Sequence, residues 1–363
     1  MHDKSTVRRL ARRFDLRIVP CSALTIRRRR VGRGFTYETP EGETIRDPDM
    51  LARFRSQAVP PAYNNVRFAA EPRAHLQAIG EDAAGRLQYR YHADWTKVRE
   101  AMKAQRLAGL AGALPSIQRA VGRALRRELP DRRLALAATV QLVSLTAIRA
   151  GSDQYADEHG TRGATTLLKS HVKVDGDEIT LSFKGKGSKR VHKQARHEAL
   201  AAALTKLRTL PGARLFKYQD AKGAIHAVRA SDVNAFLKDI SGADISLKDF
   251  RTLTASLGVL GQLGRLTPEK SERGRRRQIR EAIEPLAEEL ANTLSVCRTS
   301  YVHDTVIVAF ESGQLGELTA SGRSPSARAA VLSELLQNDK CRPGAAPPRR
   351  RSATVKRDLP APG

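Results

Sequence analysis

Cysteine is scarce in this chain of 363 residues: Cys21, Cys297 and Cys341 are the only three. They stand far apart with no CxxC pair, which argues against both a disulfide framework and a thiolate zinc site. No run of about 18 apolar residues occurs, and the first residues lack the continuous apolar stretch of a secretory signal. These absences predict a cytoplasmic protein in a reducing compartment. A P-loop, an HExxH motif and an acidic metal cluster are missing as well, and histidines such as His92 and His303 stand alone. The expectation is no metal ion, no nucleotide and no other cofactor. Acidic residues are also in short supply, with 38 Asp and Glu against 64 Lys and Arg, a formal charge of +26. That excess points to a polyanion, because each phosphate neutralised by Lys or Arg releases condensed counterions from nucleic acid. A membrane surface is the competing polyanion, but no basic segment carries the large apolar face of an interfacial helix. Charge therefore indicates nucleic acid without saying what is done to it.

With 40% hydrophobic residues the chain can build real cores, and its length suits two domains. The arginine run 27–30 is followed by Gly34-Phe35-Thr36-Tyr37, which reads as a strand entering a hairpin at Pro40-Glu41-Gly42. The run itself suits a solvated face and a phosphate-tracking strip equally well. A short helix over 48–55 precedes Pro60-Pro61, and 75–80 runs through a glycine-containing turn into 86–92. In 88–91, Gln88 and Arg90 fall on one face of a strand and Tyr89 and Tyr91 on the other, where a tyrosine pair usually belongs to a core.

From Asp94 the pattern turns helical, with Trp95 the only tryptophan. Residues 134–148 are apolar nearly all round, as in a buried helix, and deliver Arg149 at the carboxyl end just before Gly151. A cation there complements the helix dipole. Residues 171–174, 178–183 and 190–194 form an antiparallel meander in which Ile179, Leu181 and Phe183 alternate inward; Asp175-Gly176-Asp177 makes its first turn and the lysine-rich 184–189 its second. Ser246 can cap a helix carrying Lys248 and Arg251 one turn apart, a spacing that lets two cations grip one phosphate region. Residues 274–290 read as a basic amphipathic helix ending before Asn292, with Tyr301 on a short following segment. Beyond Gln337 the chain becomes a basic, disordered tail rich in Pro and Arg. The fold class is α+β: a small β-rich domain over 1–93, a larger, mostly helical domain with a short antiparallel sheet over 94–337, and the tail over 338–363.

Tyr301 is the most informative residue, because Arg149, Lys186, Lys248, Arg251 and Asn292 can be assembled around it. A phenol with a pKa of about 10 is a poor nucleophile at neutral pH, so a tyrosine that attacks a phosphodiester needs dense positive charge and donors around the phosphate. In one order, Ile148-Arg149-Ala150-Gly151, Phe183-Lys184-Gly185-Lys186, Lys248-Asp249-Phe250-Arg251-Thr252, Asn292-Thr293 and Ser300-Tyr301 resemble the small type IB DNA topoisomerases of the viral and bacterial kind. The likeness runs roughly from residue 27 to 316. It implies that Tyr301 is the nucleophile, that Arg149 and Arg251 stabilise the non-bridging oxygens, and that Asn292 donates a further hydrogen bond. Lys186, preferred over Lys184 and Lys189 on the Phe-x-Gly-Lys match, would protonate the leaving 5′ oxygen.

The same resemblance lays the Gln88-Tyr89-Arg90-Tyr91 element against the DNA major groove, with Gln88, Tyr89, Tyr91, Tyr155 and Lys248 as DNA contacts. It implies a monomer, associated with the nucleoid, that clamps double-stranded DNA between its two domains and relaxes supercoils without ATP or metal. Three departures stand out. Asn292 occupies a position where many relatives carry histidine, its neighbours lack the usual Gly and Pro, and Leu253 replaces a frequent aromatic. The nearest alternative is a tyrosine recombinase or integrase, which usually carries His-x-x-Arg where Lys248-Asp249-Phe250-Arg251 stands and has a helical amino-terminal domain. A non-catalytic nucleoid DNA-binding protein is the third reading, and under it the ordered set would be coincidence.

Overall fold

A computed structural model describes residues 4–316 and 324–338. Gly32, with φ at 56°, takes the left-handed conformation that a tight turn needs. The arginine run therefore becomes a strand itself: β1 (Ile26–Val31) pairs antiparallel with β2 (Gly34–Glu38), with Arg28 opposite Tyr37. This moves the expected hairpin. The chain does turn after β2, where the Thr39 N–H donates to the Glu43 carbonyl, but only an isolated bridge between Glu38 and Thr44 follows. Pro40 can donate no ladder hydrogen bond, so pairing forms on the Gly32 side instead.

Three more strands, β3 (Asn64–Phe68), β4 (Leu76–Glu81) and β5 (Leu87–Tyr91), complete an antiparallel sheet of order β2-β1-β3-β4-β5. Helix α2 (Pro48–Ser56) starts at Asp47, whose side chain accepts from the Asp49 N–H. It buries Phe54 against Tyr37 and Phe68 on the sheet, with ring centroids 5.0 and 4.8 Å away. Alternation in β1 settles the arginines. Arg28 turns inward and donates to the Val59, Pro60 and Tyr63 carbonyls, while Arg27, Arg29 and Arg30 are exposed.

An unanticipated helix, α1 (Lys4–Arg13), buries Leu10 and Ala11 against Val98 at the start of α3 (Trp95–Leu125). α3 and α4 (Arg132–Thr146) form the spine of the large apolar core, and α4 is buried nearly all round, as its composition predicts. Asp131 caps α4 by accepting from the Leu134 N–H at 2.9 Å. After α5 (Asp153–His159) comes the expected meander, β6 (Val172–Asp175), β7 (Glu178–Lys184) and β8 (Arg190–Arg196), with Ile179, Leu181 and Phe183 buried. Helix α6 (Glu198–Thr209), the hairpin β9 (Lys217–Gln219) and β10 (Ile225–Ala227), and α7 (Ala230–Ser241) were not legible in the sequence.

The chain continues through α8 (Leu247–Leu263), α9 (Glu272–Glu289), α10 (Leu294–Ser300) and α11 (Asp304–Glu311) to α12 (Pro325–Asn338). Because α12 extends to Asn338, the tail expected from 338 begins one residue later at the earliest; residues 339–363 lie outside the described residues. An antiparallel sheet followed by a helical portion with its own small sheets is an α+β fold, as expected. Among the described residues no helix is long and apolar enough to cross a membrane.

Candidate active site

Two helix ends aim their carbonyls at one side chain. α4 stops at Ala147, in the left-handed conformation with φ at 49°, and α9 stops where Ala291 adopts the same φ of 49°. The last carbonyls of a helix have no partner within it and carry the negative end of its dipole. Arg251 on α8 takes up both ends: Nη1 donates to the Ala147 carbonyl and Nη2 to that of Leu290 at 2.8 Å. The residue is only 3% exposed, and its Nε–H is buried without a hydrogen-bond partner among the described residues. Its guanidinium carbon lies 4.9 Å from the centroid of the Tyr301 ring. Burial pulls the proton affinity of Arg251 below its ordinary value, against the opposing charge and contact of Tyr301.

Tyr301 itself follows α10, whose start is capped by the Thr293 side chain. Its N–H donates to the Cys297 carbonyl at 3.0 Å, and its carbonyl accepts from the Ser256 hydroxyl of α8 at 3.2 Å. The phenol is under two opposed influences. Burial raises its pKa, but Arg251, Arg149 and Lys248 together outweigh burial, and the net result is a phenol more acidic than an ordinary tyrosine.

Arg149 reaches this cluster because the backbone after α4 is held at close quarters. The Ala164 N–H donates to the Arg149 carbonyl at 2.8 Å and the Thr165 N–H to that of Ala150 at 2.8 Å. A Cβ at Gly163 would stand 2.5 Å from the Gly151 nitrogen and 2.6 Å from the Arg149 oxygen, so only glycine permits the approach. Arg149 Nη2 then donates to Asn292 Oδ1 at 2.7 Å, and Asn292 Nδ2 donates to the Leu290 carbonyl at 3.2 Å. One Nδ2 hydrogen is left over, so Asn292 can still donate to a phosphate while orienting Arg149.

Lys186 sits in the β7–β8 loop and lines a narrow cleft with Arg149, Arg162, Lys193, Arg251 and Leu290. Its ammonium has no ion pair or hydrogen bond among the described residues, and the same holds for the exposed Lys248. Ser246 stands at the N-cap of α8, as expected, and works together with Asp249 at the third helical position. The Ser246 hydroxyl donates to the Asp249 carboxylate, which also accepts the Ser246 N–H at 2.7 Å, and Arg106 of α3 anchors both residues. Asp249 is thereby spent on the helix start and on Arg106.

Arg149, Lys186 and Arg251 line one cleft; Tyr301 joins them through the Arg251 guanidinium, Asn292 through its hydrogen bond with Arg149, and Lys248 is close enough to lower the pKa of the phenol. Gln88, Tyr89, Tyr91 and Tyr155 are not part of this cluster. Tyr89 and Tyr91 are 44% and 42% exposed, so they are not the core pair that strand alternation suggests. They stack on each other with centroids 6.2 Å apart, and Tyr91 stacks on Trp95 at 5.9 Å. Gln88 donates to Asp82 at 2.9 Å, and Tyr155 on α5 is 59% exposed. Two cationic cleft residues escaped the sequence reading, Arg162 and Lys193. The signal for Lys193 was available: in β8 it shares the inward phase with Val191 and Ala195, a place where lysine needs a partner. No local pattern marks Arg162.

Comparison with known proteins was consistent along the chain. Residues 92–318 match the family described as eukaryotic DNA topoisomerase I, catalytic core, and residues 34–82 match that described as bacterial DNA topoisomerase IB, N-terminal domain. DNA topoisomerase 1B of Acanthamoeba polyphaga mimivirus is 30% identical over 286 residues, covering 77% of this chain and 84% of that protein. DNA topoisomerase 1B of vaccinia virus strain Copenhagen is 27% identical over 116 residues, covering 32% of this chain and 37% of that protein. A solved structure of the XerH site-specific recombinase bound to its difH substrate is 14% identical, with a TM-score of 0.34 over 53% of this chain and 49% of that one. That likeness is too weak to bear on the site.

Proposed function

The chain belongs to the type IB DNA topoisomerases, and from that membership we propose that it relaxes positive and negative supercoils through a covalent DNA intermediate on Tyr301. The Tyr301 phenolate attacks a backbone phosphorus in line, the bond from phosphorus to the 5′ oxygen breaks, and a 3′-phosphotyrosine forms. Lys186 gives the departing oxygen its proton, leaving a free 5′-hydroxyl. Arg251 and Arg149 hold the charge that builds on the non-bridging oxygens, and Asn292 adds a neutral donor. The free end rotates before the hydroxyl attacks the phosphotyrosine in reverse. A phosphodiester is exchanged for another of similar energy, so religation needs no ATP, and three cationic side chains do what a metal ion would do for the phosphate.

In the same reading residues 1–93 and 94–337 act as two domains of a monomeric, nucleoid-associated clamp around duplex DNA. Gln88, Tyr89, Tyr91, Tyr155 and Lys248 contact that duplex. One observation carries the proposal: a buried guanidinium, fixed by two helix-end carbonyls, lies over the Tyr301 ring and lowers the pKa of its phenol. Such a cation, oriented in advance, costs no reorganisation when charge develops beside it. The test is relaxation of a supercoiled plasmid in EDTA without ATP, with peptide mapping of trapped DNA adducts. Tyr301→Phe should bind DNA yet form no adduct. Mapping of the adduct to Tyr155, or linkage through a 5′ end, would overturn the assignment.

A further inference from the structure

Lys193 has no part in the reading above, yet it stands where the two sides of the cleft meet. In β8, Arg190, His192, Gln194 and Arg196 are exposed while Val191, Lys193 and Ala195 turn inward. A lysine in the inward phase must find an acceptor or hold its charge in poor solvent. Lys193 finds one, because its Nζ donates to the backbone carbonyl of Glu289, the last residue of α9. The next carbonyl, that of Leu290, receives Arg251 Nη2 and Asn292 Nδ2. Three side chains thus dock on two successive carbonyls at the negative end of one helix. Of these three, Lys193 alone comes from the hairpin that carries Lys186.

The hairpin is a continuous ladder from Glu178 opposite Arg196 to Lys184 opposite Arg190, with Leu181 facing Lys193. Lys193 therefore lies three residues below the end of the ladder, about 10 Å at roughly 3.3 Å per residue. Beyond that end, the loop places Lys186 against the cleft with no polar partner of its own among the described residues. A ladder moves as one piece, so a tether along its side fixes where its tip can reach. We propose that Lys193 is a positioning residue: it pins the β7–β8 hairpin to the carboxyl end of α9 and so sets Lys186 at the leaving 5′ oxygen. The inference rests on Lys186 being the proton donor.

The experiment is single-turnover cleavage of a suicide duplex by the full chain, on an ordinary phosphodiester and on one with sulfur at the 5′ bridging position. Sulfur leaves without needing a proton, so a defect in proton delivery disappears on it. Lys186→Ala is the control and should be slow on oxygen and fast on sulfur. Lys193→Met should slow the oxygen substrate by roughly tenfold to a hundredfold, the cost of misplacing a catalytic group by up to about 1 Å. On sulfur it should come back to within about threefold of wild type, on the same reasoning. Lys193→Arg, which can still donate to the Glu289 carbonyl, should restore the oxygen rate. In a Lys186→Ala background, Lys193→Met should cost nothing more, because the two act in series. If Lys186→Ala is rescued by sulfur but Lys193→Met is equally slow on both substrates, or is as fast as wild type on oxygen, the positioning role is overturned. If sulfur fails to rescue Lys186→Ala, the proton-donor assignment falls and this inference falls with it.

Discussion

Replacing Arg251 by glutamine separates its charge from its place in the packing. The guanidinium has five N–H donors, of which one goes to the Ala147 carbonyl and one to that of Leu290. The Nε–H is buried, and two Nη hydrogens remain for a phosphate held at the cleft that Arg251 lines. Losing one donor of this preoriented kind costs about 10²–10³ in rate, or roughly 3–4 kcal/mol, and loss of the positive charge adds to that. The Leu290 carbonyl keeps the Asn292 Nδ2–H, but a shorter glutamine that fails to reach the Ala147 carbonyl leaves that acceptor orphaned, at a cost of about 1–3 kcal/mol of stability. The sign of the pH effect follows from the phenol. Burial alone pushes Tyr301 upward and the cations bring it below the ordinary tyrosine value, so deleting the largest cationic influence must move it up. The cleavage rate of wild type should therefore rise with pH and level off below about 10, the ordinary tyrosine pKa. In Arg251→Gln the bend moves to higher pH while the whole curve drops, and Arg251→Lys, which keeps the charge, should hold the bend near the wild-type position. Single-turnover cleavage on a suicide duplex across pH reads both quantities, and urea unfolding reads the stability loss. A bend at the same pH in wild type and Arg251→Gln would show that Arg251 does not act on the phenol, whatever the rate does.

Two other perturbations test different links. Asn292→Ala should slow cleavage by up to about 10²–10³ with little change in DNA affinity, and Asn292→His should keep much more activity because imidazole can donate from a similar place. Asn292→Asp preserves the contact with Arg149 but neutralises it beside the phosphate, so it should not recover the alanine loss; wild-type rates in that variant would remove Asn292 from the list of donors. Lys217, 3% exposed, donates to the Pro211 and Gly212 carbonyls beside Lys169. Burial, helped by Lys169, lowers its pKa from 10.5 to about 8. A lysine depressed on folding binds its proton better in the unfolded chain, so stability should increase as pH rises from about 8 toward 10.5, by no more than about 3 kcal/mol. Urea unfolding of wild type against Lys217→Met should show that increment in wild type only, and parallel pH profiles would refute it.

The positions of the elements depended on local pattern wherever local pattern was strong. The all-round apolar run around Leu136 and Leu142 could only be a buried helix, and the alternation of Ile179, Leu181 and Phe183 could only be a half-covered strand; both are buried as that logic requires. The order of short fragments also singled out Arg149, Lys186, Arg251, Asn292 and Tyr301, of which Arg149, Lys186 and Arg251 line one cleft. Periodicity could not reveal α1 among its arginines, nor tell that Tyr89 and Tyr91 stand exposed on Trp95 instead of filling a core. The arginine run is the clearest case. Its four residues have identical chemistry, and only pairing with β2 and β3 decides that Arg28 serves three carbonyls inside while its neighbours face solvent. The site followed the same division. The candidate residues were readable along the chain except Arg162 and Lys193, but what holds them was not: Arg251 is fixed by carbonyls of residues 147 and 290, and Lys193 by that of residue 289. A backbone carbonyl is the same group in every residue and leaves no mark in the sequence. Only the folding of α4 and α9 to a common point makes two helix ends into acceptors for the cations that flank Tyr301.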